Sequence, residues 1–123
     1  MRVAEKYDRR VLFRCLSLLE LLLDENPSAL EEFAFPDDAA AGFYSFIDAA
    51  ERLPAETLCL KGQLSGPVTV GFQVTDASGK PSFYDPSLRE LLVKTLAAQA
   101  RWQASRLQSL GMPALLFIDD PGL

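Results

Sequence analysis

One helix constrains this chain more than any other feature, because its start, its stop and an apolar run on either side are all written in the residues. Asp85 stands where a side-chain oxygen caps a first turn, and Pro86 occupies the first helical position, where its missing N–H costs nothing. Leu88, Leu91, Leu92, Leu96, Leu107 and Leu110 then fall mainly on one side. Gly111 ends the run, with Pro113 two residues beyond. Upstream, TLCLKGQ (57–63) reads as a strand of the buried parallel type. Downstream, ALLFI (114–118) reads as a second. Two strands of one sheet joined through a helix are expected to lie parallel, with a right-handed connection.

The remaining segments follow from local signals. Gly66-Pro67 marks a turn, and 68–74 suits a short helix better than a strand, since strand–turn–helix is a βα unit. Residues 75–81 form a loop. The first half is helical. In 7–24, Val11, Leu12, Cys15, Leu18, Leu19, Leu22 and Leu23 recur at helical spacing. Asn26-Pro27-Ser28 breaks that run, and Ser28 with Glu31 forms a capping box for a short helix. Another helix begins after Pro36-Asp37 and carries Ala41, Phe43, Tyr44, Phe46, Ile47 and Ala50 to Leu53, where Pro54 stops it.

A length of 123 residues, 49% of them hydrophobic and eight of them Phe, suffices for one modest domain with a core. Two parallel strands, however, cannot close a sheet, and a complete (β/α)₈ barrel takes roughly 250 residues. The expected fold is therefore α/β: a partial TIM (β/α)₈ barrel with a helical N-terminal half, a fragment of a larger barrel. Residues 1–29 are a helical segment of unplaced origin and 30–123 the barrel part. Uncovered sheet edges imply self-association.

Charge and residue type exclude several function classes. A net charge of -5 without a basic cluster disfavours nucleic acid and anionic membranes. The apolar stretch 16–23 is interrupted by Ser17 and Glu20 and is too short to span a bilayer. Charges throughout 2–14 do not suit a secretory signal. Cys15 and Cys59 sit in apolar surroundings without C-x-x-C spacing and read as reduced core thiols of a cytoplasmic protein. The chain has no histidine, so it supplies neither a Ser-His-Asp triad nor an imidazole metal ligand.

Both strands end in polar residues, and in parallel α/β proteins ligands bind at strand carboxyl ends. The candidate substrate-binding residues are Lys61, Gln63, Ser65 and Thr69 after the first strand, and Asp119 and Asp120 after the second. Each has a structural alternative. Lys61 can be a solvated or salt-bridged strand-end lysine, Gln63 and Thr69 can satisfy turn backbone, and Asp119 and Asp120 can cap a helix. Trp102 reads as helix-packing mass, and Tyr84 and Asp85 as loop packing and a cap.

KGQLSGPVT (61–69), Tyr84-Asp85, Ala100-Arg101-Trp102-Gln103 and FIDDP (117–121) occur in an order that resembles the superfamily of uroporphyrinogen decarboxylase and cobalamin-independent methionine synthase, in its methionine-synthase-like branch. The segment 39–53 also resembles the helix before the first motif, so the likeness spans about 30–123. It implies a TIM barrel with its pocket at the strand carboxyl ends, and places Asp119 where the family binds the amino group of homocysteine. Three departures stand out. Asp120 replaces the family's Glu. Gln73 occupies the position of a folate-stacking Trp. The family's zinc ligands lie beyond its D-E-P motif, so this chain carries no cofactor of its own, and zinc belongs to a full-length parent.

Three functions follow as expectations. The chain is part of a methionine-synthase-like protein that binds a small thiol or methyl-transfer substrate and is inactive alone. Alternatively it is part of a decarboxylase-like protein, or a non-catalytic interaction module whose leucine stripe docks a partner. The catalytic residues are unassigned.

Overall fold

The computed structural model describes residues 27–122, so the expected helix at 7–24 and Cys15 lie outside the described residues. A 3₁₀ turn spans Pro27–Phe33. It is followed by helix α1 (Ala41–Ala50), strand β1 (Leu60–Ser65), helix α2 (Pro67–Gln73), a second 3₁₀ turn (Ser82–Tyr84), helix α3 (Pro86–Gln108) and strand β2 (Ala114–Asp119).

The long helix α3 forms where its boundary residues require. An Asp85 carboxylate oxygen accepts from the backbone N–H of Ser87 at 2.9 Å and of Leu88 at 3.1 Å, satisfying two of the orphan donors of the first turn. At the other end Gly111 adopts φ 82°, and its N–H returns to the Gln108 carbonyl at 3.0 Å.

α3 is also the packing axis of the described chain. On one side Ala98 is buried against Ala29, Phe33 and Leu91. On another, Leu107 is fully buried with Ile47 of α1 and Leu60 of β1, and Phe43, Leu53, Leu110, Met112 and Ala114 close around them. Burying one such leucine contributes roughly 1.5–3 kcal/mol. Trp102 is buried beneath Phe35, Phe43 and Tyr44, with ring centroids 5.1, 5.5 and 6.3 Å away. Its indole N–H points to Glu31 at 3.4 Å. Trp102 is thus packing mass, as its helical position suggests.

β1 and β2 pair in parallel, from Leu60 beside Ala114 to Ser65 beside Asp119. Alternate residues take opposite faces of a strand. Leu60 and Gly62 turn to α3 and are buried, while Lys61, Gln63 and Ser65 are exposed on the other face. Leu115 and Phe117 stand on that same exposed face of β2. Gly62 is required by close approach: a Cβ there would lie 2.5 Å from Gln103 Oε1 and 2.9 Å from Leu116 Cδ1.

Several expectations are corrected. The partial TIM barrel is not what forms. The described residues make a mixed α/β unit with a two-stranded, unclosed parallel sheet. A barrel strand is covered on both faces, whereas Leu115, Phe117 and the residues beside them face solvent. A continuous apolar run does not distinguish a strand covered twice from one covered once. β1 occupies Leu60–Ser65 rather than 57–63. Its ladder begins where Leu60 N–H reaches the Pro113 carbonyl at 2.9 Å and continues until Gly66 N–H reaches the Asp119 carbonyl at 2.6 Å. Thr57, Leu58 and Cys59 precede that first rung. Leu58 is 87% exposed, and Cys59 is an exposed free thiol rather than a core one. α1 stops at Ala50, short of Leu53, and the segment around Ser28 is 3₁₀ with Ser28 inside it. The short helix after Gly66-Pro67 and the parallel strand pairing are as expected. Among the described residues no helix is long and apolar enough to cross a membrane.

Candidate functional site at the carboxyl end of the sheet

The two strands end side by side, and Gly66-Pro67 turns the chain at once into α2. The turn works because nothing projects from Gly66: a Cβ there would lie 2.5 Å from the Asp120 carboxyl carbon. Pro67 starts the helix at the position that loses no hydrogen bond.

Asp120 enters this gap. One carboxylate oxygen accepts from the Thr69 N–H at 2.6 Å and the Thr69 hydroxyl at 2.7 Å, and the other from the Val68 N–H at 3.2 Å. Thr69 Oγ1 in turn accepts from the Gly122 N–H at 3.0 Å. Asp120 is therefore a helix cap supplied from 51 residues away, and it ties the end of β2 to the start of α2. Partial burial pushes its carboxyl up. The Thr69 hydroxyl and the two N–H groups outweigh that and hold it below the ordinary carboxylate range.

Asp119 has a different position. It stands opposite Ser65 in the register and on the exposed face, where its carboxylate accepts a hydrogen bond from the Gln63 side-chain amide. On the same face the Lys61 ammonium lies 4.4 Å from the centre of the Phe117 ring, a cation–π contact. Lys61, Gln63, Phe117 and Asp119 thus form one continuous solvent-facing group with a cation at one end and a carboxylate at the other. Ser65 stands at its rim.

The expected residues consequently divide. Gln63 and Asp119 meet directly, and Lys61 shares their face. Thr69 and Asp120 meet each other in the helix cap. A single cavity shared by Lys61, Gln63 and Asp119 is not found, because they lie on an open face. A depression of about 470 Å³ lies between α2 and the residues that follow β2, lined by Thr69, Phe72, Gln73, Pro121 and Gly122 and by none of those three. Its aromatic wall, Phe72, stacks on Phe83 at 5.2 Å and meets Tyr84 edge-on at 5.4 Å.

Gln103 stands out in the sequence only as the last residue of Ala100-Arg101-Trp102-Gln103, with no role of its own. It is buried under β1, where its amide N–H₂ donates to the Gln63 carbonyl at 3.1 Å while its Oε1 has no partner. The available signal was a polar residue one helical turn before the core Leu107. Phe72 carries no comparable signal. Among the described residues, no group of three or more His, Cys, Asp or Glu side chains is placed to hold a metal. No family model, curated protein or solved structure matches the chain.

Proposed function

We propose that the exposed face formed by Lys61, Gln63, Phe117 and Asp119 binds a small zwitterionic ligand of the thiol amino-acid class. The observation that carries this reading is the side-by-side placement of a carboxylate oriented by an amide and an ammonium seated on an aromatic ring. A carboxylate has about four acceptor positions, and Gln63 occupies one of them, which leaves Asp119 able to receive a ligand ammonium. Lys61 supplies the opposite charge for a ligand carboxylate. Phe117, between them, offers an apolar surface to the ligand's carbon and sulfur atoms.

In this reading the chain contributes binding and orientation. Methyl transfer and decarboxylation are the two reactions that the motif resemblance suggests for a parent protein. Both require the substrate to be held before any chemistry, so the binding step is the one to test. Asp120 has no part in it, since its oxygens are engaged by α2.

The experiment is a calorimetric titration of the chain with homocysteine, cysteine and methionine, repeated with Asp119→Asn and Lys61→Ala. Saturable binding that weakens tenfold or more in Asp119→Asn supports the reading. Absence of binding to all three, or the same affinity in both variants, removes it.

A further inference from the structure

We propose that the outer edge of β2 is a homodimer interface, in which β2 pairs antiparallel with β2 of a second copy about a two-fold axis at Leu116. The starting observation is that the two edges of the sheet differ. Leu60 N–H donates to Pro113 and Gly66 N–H to Asp119, so the even-numbered residues of β1 and the odd-numbered residues of β2 turn their backbone groups toward each other. The odd residues of β1 and the even residues of β2 therefore turn theirs outward.

On the β1 edge the outward carbonyl of Gln63 is taken by the buried Gln103 amide, and Lys61 adds a charge. Both features block strand addition. On the β2 edge, Leu116 and Ile118 direct N–H and C=O outward, and among the described residues none supplies such a guard. The strand ALLFID contains no lysine and no proline, and Leu115, Phe117 and Ile118 are each more than two-fifths exposed. An apolar edge without a bulge, proline or cation is a template for another strand.

The strand is complementary to itself, which makes a second copy the occupant, and charge selects the direction. Antiparallel pairing about Leu116 sets Ala114 opposite Ile118 and Pro113 opposite Asp119, so the carboxylates of the two copies stand at opposite ends of the ladder. Parallel pairing of the same segments would set Asp119 on Asp119, which is destabilising. The antiparallel arrangement also brings Leu115 of each copy beside Phe117 of the other on the open face, an aliphatic–aromatic cross-strand pair. The interface is isologous and closes at two copies. Its hydrogen bonds use backbone that the ligand reading does not, and Phe117 is the one contact residue that the two share.

The test is sedimentation equilibrium of the whole chain beside Ile118→Lys, with far-UV circular dichroism of both. A wild-type mass of two chains, falling to one in Ile118→Lys with an unchanged spectrum, is the expected result. Residue-resolved amide exchange at low and high concentration supplies a second measurement that needs no variant. Leu116 and Ile118 amides should gain protection at high concentration, while those of Lys61 and Ser65 should not. A wild-type monomer at every soluble concentration overturns the proposal. So do species larger than two, an Ile118→Lys dimer, or exchange at Leu116 and Ile118 that ignores concentration. If Ile118→Lys alters the spectrum, the exchange measurement decides.

Discussion

The two faces of the sheet are built from alternate residues of the same two strands, yet they follow different rules. The face toward α3 is governed by volume. Leu60 and Gly62 are buried there, Leu107 has no exposed surface, and Gly62 has no space for even a methyl group beside Gln103. The opposite face is governed by chemistry. Lys61, Gln63 and Asp119 sit among Leu115 and Phe117 and interact with one another in solvent. The comparison teaches that in this chain stability and candidate function lie on opposite sides of one ladder, so substitutions on the two sides should have separable effects.

The largest effect should come from the packed side. Leu107→Ala removes a fully buried side chain at the junction of α1, α3 and β1 and should cost about 2–5 kcal/mol, read as a lowered denaturation midpoint. A loss well under that range would mean the packed face is not the stabilising one. Gly62→Ala comes next. Its Cβ would collide with Gln103 Oε1 and Leu116, and accommodation should cost about 1–3 kcal/mol through overpacking, measured by the same denaturation. If Gln103 yields by swinging away, the Gln63 carbonyl also loses its partner.

Asp120→Asn probes the corner where the faces end, and its signature is a pH dependence. The folded-state carboxyl is held below its ordinary value, so its contribution is complete above the ordinary carboxylate range and is lost as pH falls through the depressed value. Melting temperatures of wild type and variant should differ at neutral pH and converge in acid. Asp76, held low chiefly by the Ser78 hydroxyl, has the same sign, so the variant keeps a residual slope. A wild-type difference that grows in acid would contradict the capping role. The smallest effect belongs to the open face. Lys61→Ala, measured without ligand, should change stability by no more than about 1 kcal/mol, the scale of an exposed cation–π contact. A larger loss would make Lys61 a structural residue and weaken the ligand reading.

The legible parts of the fold were those whose causes lie within a few residues. Asp85 and Pro86 start α3, Gly111 stops it, and Gly66-Pro67 turns β1 into α2, each through neighbouring backbone groups. Lys61, Gly62 and Gln63 likewise alternate between the open and the packed face because a strand has period two. The site was legible to the same depth. Parallel pairing brings the polar residues of the two strand ends to one end of the sheet, but their order along the chain does not say how they divide. Asp119 and Asp120 are adjacent and chemically identical, yet one meets Gln63 on the open face and the other caps α2.

What the sequence alone determined, then, is the order of the main described elements, both ends of α3, the turn into α2 and the pair of polar strand termini, because capping and pleating act over one or two turns of chain. Tertiary structure alone decided that the described strands form an open sheet, that Cys59 is exposed, that Gln103 lies buried against β1 and that Asp120 works on a helix 51 residues back. Each of those outcomes depends on what arrives from a distant segment to cover a surface or accept a hydrogen bond. Burial and long-range pairing are properties of that arrival, and local patterning does not contain them.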